Sequence, residues 1–140
     1  MSHIGPPALT FHVPGNPRSW KRAARGKGFT FVDPTSAAYR NLVALSAVAA
    51  LPSGWIRGLR YFVAIEAAFP TRGRTDLDNI AKQACDALNG IVWDDDSQID
   101  ELHVKRLWTH DEPGIRVTVF VLPDPPPKAK APRAPKEKKR

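Results

Sequence analysis

In LTFHVPG, Leu9, Phe11 and Val13 alternate with polar neighbours. That is the two-residue period of a strand, and Pro14-Gly15 ends it. A polar, basic, glycine-containing loop follows in NPRSWKRAARGKG, and GFTFVDP reads as a short strand or one arm of a hairpin. From Pro34 to Leu51 helix formers dominate. Tyr39, Leu42, Val43, Ser46, Ala47 and Ala50 recur at spacings of three and four and predict the inward stripe of a helix. Pro34 suits its first turn, and Pro52 and Gly54 stop it. In GLRYFVAIEAAF, Tyr61, Val63, Ile65 and Ala67 share one face of a predicted strand. Leu77, Ile80, Ala81, Ala84, Cys85 and Leu88 then fall at the helical period, ended by Asn89-Gly90. Ile91, Val92 and Trp93 return to the core. Ile99 to Trp108 reads as a strand with Leu102, Val104 and Arg106 on one face. IRVTVFVL, from Ile115 to Leu122, reads as another, joined to it through HDEPG as a hairpin.

This order predicts an α+β domain over residues 1–122, with a small mixed sheet of about four strands and two main helices. After Pro123 the pattern stops. PDPPPKAKAPRAPKEKKR has no apolar residue larger than Ala, Pro excepted. It lacks the apolar surface to offset chain ordering, so residues 123–140 are expected to form a disordered basic arm.

Composition narrows the class. A chain of 140 residues suits one domain with its own core. The single cysteine excludes a disulfide framework and fits a reducing compartment. No apolar run is long enough to span a bilayer, and MSHIGPPALTF lacks the pattern of a signal peptide. The expectation is a soluble, cytoplasmic protein. The net charge is +7, and the segment from Pro123 carries seven of the 21 basic residues but two of the 14 acidic ones. Arg18, Lys21, Arg22, Arg25 and Lys27 form a second basic cluster. Such clusters point to a polyanion, usually nucleic acid, although a charge run is also an ordinary solvated face. Arg72 and Arg74 extend the candidate contacts, and Trp20 is a candidate for stacking on a base.

Against that background, GRTDLDNIAKQACDALNGIVWDDDSQID gathers seven aspartates. Asp76 and Asp78 flank Leu77 at a helix start, where free backbone N–H groups favour negative charge. One cap explains one acid but not the pair. Lys82 lies four residues after Asp78, a spacing that also suits a helix ion pair. Asp94, Asp95 and Asp96 repel one another unless solvated or shared by a cation; a turn cap needs only one of them. If Asp95 or Asp96 returns over the helix start, hard oxygen ligands converge in a set suited to Mg²⁺. A cation there would reconcile an acidic site with phosphate brought in by basic residues, and the chemistry indicated is metal-dependent phosphodiester hydrolysis. Asn79 is a candidate brace or cap. Trp93 reads as a packing anchor, and Cys85 as a buried small residue.

RTDLDNIAK, DALNGIVWDDDSQI and L-x-V-K-R together resemble the RusA family of Holliday junction resolvases. The combination of D-x-D-N-x-x-K with W-x-D-D-x-Q is the specific part. The resemblance implies a RusA-like α+β homodimer, phage- or prophage-associated, that cuts four-way DNA junctions with Mg²⁺, or Mn²⁺ in its place. It assigns the essential acids to Asp76, Asp78 and Asp96 and the catalytic lysine to Lys82. Asp95 is a further candidate ligand, with the triplet's register anchored on Ser97-Gln98. Lys105 matches a common basic position. PGNPRSWKR matches the family's early basic segment only loosely, Trp20 standing where smaller residues are common. The other readings are a noncatalytic DNA-binding protein with a structural acidic cluster, and a metal-dependent nuclease acting on flaps, forks or RNA.

Overall fold

A computed structural model describes residues 5–18, 24–26, 29–31, 34–73 and 75–127. Strand β1 is Leu9–Pro14, β2 is Ala24–Gly26 and β3 is Phe29–Phe31; helix α1 is Pro34–Ala50 and β4 is Arg60–Phe69. Helix α2 is Leu77–Ala87, β5 is Ile99–Trp108 and β6 is Gly114–Leu122. The predicted α+β class holds: a mixed four-stranded sheet in the order β1-β6-β4-β5, with two α-helices. Strands β2 and β3 pair antiparallel as a separate two-stranded ribbon, so GFTFVDP is a hairpin arm.

The sheet buries one face under the helices. Phe11, Val13, Tyr61, Val63, Ile65, Ile115, Val117 and Val119 meet Tyr39, Val43, Ala47, Ile80, Ala84, Cys85 and Leu88 in one core. Strand β4 is apolar on nearly every position and takes an interior place, which favours a strand buried on both flanks. It pairs antiparallel with β6 and parallel with β5, with α2 as the crossover.

The expected hairpin fails. Strands β5 and β6 do not form a hairpin, because β4 lies between them. Both reach the C-terminal end of β4, where Phe69 pairs with Trp108 and Ala68 with Gly114. The intervening residues therefore cross the end of β4. Two strand spacings are about 10 Å, a gap that five residues bridge easily. Turn composition cannot separate this from a hairpin. At Gly114 an added Cβ would come 2.5 Å from the Val13 carbonyl oxygen, so glycine permits the close approach of β1 there.

The predicted inner face of α1 holds with one exception. Tyr39, Val43 and Ala47 are buried and Ala50 packs against the core, but Leu42, at the edge of the stripe, is exposed. Leu45 and Val48, outside the stripe, are exposed as well.

Helix α2 matches its predicted stripe and stops at Ala87 with Leu88 as its C-cap; Gly90, at φ +80°, turns the chain just beyond. Beyond it, Trp93 is fully buried and its Nε1–H donates to Asn89 Oδ1 at 2.9 Å. Its ring packs on Tyr61 at 5.9 Å, and Tyr61 stacks on Trp55 at 6.1 Å. The Trp55 Nε1–H in turn donates to the Val92 carbonyl at 2.7 Å. This aromatic series clamps the segment that leads into the aspartate triplet. Trp93→Ala should lower unfolding stability by about 3–5 kcal/mol, the usual cost of emptying a large aromatic site. Urea denaturation checks it; a loss under about 1 kcal/mol would mean the site collapses around the gap.

Candidate active site

The turn after β4 delivers two carboxylates to the start of α2. Asp76 holds the N-cap position in extended geometry, yet its side chain makes no cap hydrogen bond. Its carbonyl accepts from Ile80 at 3.2 Å, as the first helical bond requires. Asp78 Oδ1 accepts from the Asn79 backbone N–H at 3.0 Å. The Asn79 side chain instead accepts from Gln83 at 3.0 Å, so it braces the helix rather than the carboxylates. Lys82 follows Asp78 by one turn and is exposed. Arg57 pairs with Asp94 and Arg60 with Asp100, and among the described residues no ion pair takes Lys82, so it is not spent on a helix salt bridge.

The three adjacent aspartates have three different fates. Asp94 faces Arg57 at 3.6 Å. Asp95 caps the single 3-10 turn Asp96–Gln98, with its carboxylate accepting from the Ser97 N–H at 3.1 Å. That hydrogen bond holds the Asp95 carboxyl below the usual range. Gln98 completes the cap. Its Oε1 accepts from the N–H groups of Asp94 and Asp95, both at 3.0 Å, and its Nε2 donates to the carbonyls of Arg57 and Leu59. The turn is thereby tied to the chain leading into β4, and Asp96 is left facing α2.

Asp78, Lys82 and Asp96 line one open pocket of about 400 Å³ between α2 and β5. Its remaining walls are apolar: Ala81 and Cys85 from α2, with Ile99, Leu102 and Val104 from β5. Partial desolvation, the charge of Asp95 and a hydrogen bond with Asp86 together raise the Asp96 carboxyl above its usual range. Burial pushes the Cys85 thiol up to about 12, which removes it as a nucleophile. Asp86 was not singled out by the sequence reading. The signal was available, because Asp78, Lys82 and Asp86 repeat every four residues along one helix face. Among the described residues no three His, Cys, Asp or Glu side chains converge as a closed metal cage.

Residues 13–120 match the family model described as endodeoxyribonuclease RusA. The chain belongs to the RusA endodeoxyribonuclease family. A comparison with curated proteins found no match. Family membership makes the chemistry endonucleolytic cleavage of DNA, and the pocket residues Asp78, Lys82 and Asp96 fall inside the matched span. Asp76 and Asp95 also fall within it but do not line the pocket.

The remaining candidates are dispersed. Arg72 is exposed in the connection from β4 to α2, and Arg18 is exposed after β1. Lys105 lies on the far side of β5, in register with Glu66, and is not brought to the pocket. Lys21, Arg22, Lys27, Arg74 and Trp20 lie outside the described residues, as does the side chain of Arg25. Residues 123–127 are exposed coil, and the rest of the basic tail also lies outside the described residues. No helix among the described residues is long and apolar enough to cross a membrane.

Proposed function

We propose that this endonuclease uses a divalent cation, Mg²⁺ or Mn²⁺, to cut four-way DNA junctions as a homodimer. The observation that carries the reading is the convergence of Asp78, Lys82 and Asp96 on one pocket, from segments separated by most of α2 and the triplet turn. Helix capping accounts for Asp95 but not for this convergence, and it does not account for Asp76, whose carboxylate makes no cap bond.

The donor set fits Mg²⁺. This ion keeps several waters and is commonly bound through one or two carboxylates plus substrate phosphate, not by an all-protein cage. Asp78 and Asp96 would hold the cation, and Asp76, at the helix start with its carboxylate free of a cap bond, is the further candidate ligand. Bound there, the cation would polarise the phosphoryl group and make a water more acidic. Lys82, on the same helix face, meets the negative charge that develops on the phosphate. Asp95 and Gln98 hold the turn that aims Asp96. Arg18, Arg72 and the basic cluster draw in the phosphate backbone.

A four-way junction has near two-fold symmetry, and paired cuts on opposing strands need two identical sites. A C2 homodimer supplies them. The test uses end-labelled synthetic junctions beside linear duplex, flap, fork and RNA controls, with and without Mg²⁺. Symmetric nicks near the branch that yield ligatable duplexes are expected. Binding without cuts would make the acidic pocket structural. Preferential cutting of a flap, fork or RNA duplex would keep the chemistry and overturn the substrate.

A further inference from the structure

Strand β5 forms one wall of the carboxylate pocket and continues past it. Leu102 and Val104 line the pocket, and the register with β4 puts Arg106 and Trp108 on the same face farther along. Trp108 is 55% exposed, whereas Trp93 is fully buried and Trp55 is half-buried with its N–H bonded. An exposed tryptophan is unremarkable when its ring is loose. This ring is held. It packs on the buried Phe69 ring at 6.1 Å with the planes at 51°. The Arg106 guanidinium lies 5.8 Å from the Trp108 ring centre and 5.2 Å from that of Phe69.

Arg106 is itself tethered. One of its terminal N–H groups donates to the Thr75 carbonyl, directly before Asp76. Its Nε is buried without a hydrogen-bond partner, and no carboxylate among the described residues pairs with it. Its charge is therefore bracketed by two aromatic faces rather than neutralised by a carboxylate. The result is an indole packed on two neighbours, beside a cation that has no ion-pair partner among the described residues and is joined by one hydrogen bond to the turn that carries the acidic pair. An aromatic face next to a positive charge matches a nucleotide: the ring takes the base and the cation favours its phosphate. A base in intact duplex is stacked on both sides and cannot use such a face. Unpaired bases can.

We propose that Trp108, held by Arg106 and Phe69, is a stacking platform for an unpaired nucleobase of the DNA being cut. This rests on the branched-DNA reading above and deepens it, since branch points are where bases lose their stacking partners. Four residues of strand separate Val104, in the pocket wall, from Trp108, about 13 Å. A DNA strand advances about 3.4 Å per nucleotide in duplex. The stacked base thus lies within about four nucleotides of the strand position at the pocket.

The test measures binding of the full chain in EDTA, so that no cutting intervenes. The probes are a single-stranded oligonucleotide and a four-way junction, each with 2-aminopurine at successive positions near the branch or centre, and a fully paired linear duplex. Trp108→Ala should weaken binding to the first two about tenfold, within the range for removing one base–aromatic stack, and abolish quenching at one position. Duplex affinity should stay unchanged, and Trp108→Phe should restore most of the loss. Equal weakening on all three probes, or on none, would overturn the proposal. So would a change of oligomeric mass with quenching intact, which would make Trp108 a contact between copies of the chain. Because single-stranded DNA is one of the probes, Trp108-dependent quenching there with no junction cleavage would sink the junction reading and leave the platform standing. Junction cleavage without any Trp108-dependent quenching would do the reverse.

Discussion

Asp96→Asn is expected to abolish strand cleavage while DNA binding stays intact or tightens. Asparagine keeps the size and one oxygen but loses the charge that a divalent cation needs. The rate should fall on the order of 10²-fold or more, as when an enzyme loses a group that stabilises developing charge. Asp78→Asn should behave alike, since it shares the pocket. Asp95→Asn is the discriminating control. An asparagine side-chain oxygen still accepts the Ser97 N–H that the Asp95 carboxylate now takes, so the turn survives and activity should stay near wild type. A dead Asp95→Asn beside an active Asp96→Asn would show that the triplet works one residue out of register. The pH dependence adds a second readout. Asp96 is raised above its ordinary range, so folding disfavours its charged form. This unfavourable contribution is present above the folded pKa and disappears as pH falls through it. In chelator, Asp96→Asn should therefore be more stable than wild type at neutral pH, and the difference should close in acid. Wild-type stability equal to the variant's at neutral pH would contradict that reading of the pocket.

Chelation should produce the other large effect. In excess EDTA, cleavage of any DNA substrate should drop to background and return with Mg²⁺ or Mn²⁺, while Ca²⁺ should support binding without cutting. Ca²⁺ takes more ligands at longer distances, in a looser geometry. The described residues provide no three-group cage, so calorimetry should find weak Mg²⁺ binding to the protein alone and tighter binding when uncleavable DNA is present. Full cleavage in EDTA would rule out the metal. Tight Mg²⁺ binding without DNA would instead mean that the carboxylates close up on their own, Asp76 included.

How far the sequence reached depends on the kind of question. Helix α2 and its end were legible because burial of one face at the 3.6-residue period, followed by Asn89-Gly90, is a local property. The four strands of the main sheet and the α+β class followed from the same local patterns, whereas β2 lies in a stretch that reads as a loop. The buried roles of Trp93 and Cys85 followed as well, since large or apolar residues within such stripes have nowhere else to go. The aspartates drew notice as a cluster of like charge in a basic chain, but the spacing did not show that Arg57 takes Asp94, that Asp95 caps a turn and that Asp78 and Asp96 share a pocket.

Other features depended on the tertiary structure. Periodicity sets which way a residue faces but not which strand lies beside which, so the separation of β5 from β6 by β4 was invisible. It oriented α1 but did not fix the edge of its inner face, where Leu42 is left exposed. Three adjacent aspartates are nearly equivalent as sequence; Arg57, the Ser97 N–H and the double clamp of Gln98 make them different. Asp86 comes to Asp96, and Arg106 to Thr75, only when the crossover lays α2 against β5. Local order is written in the spacing of residues, but a site assembled from distant segments exists only once sheet order and hydrogen bonds have chosen its neighbours.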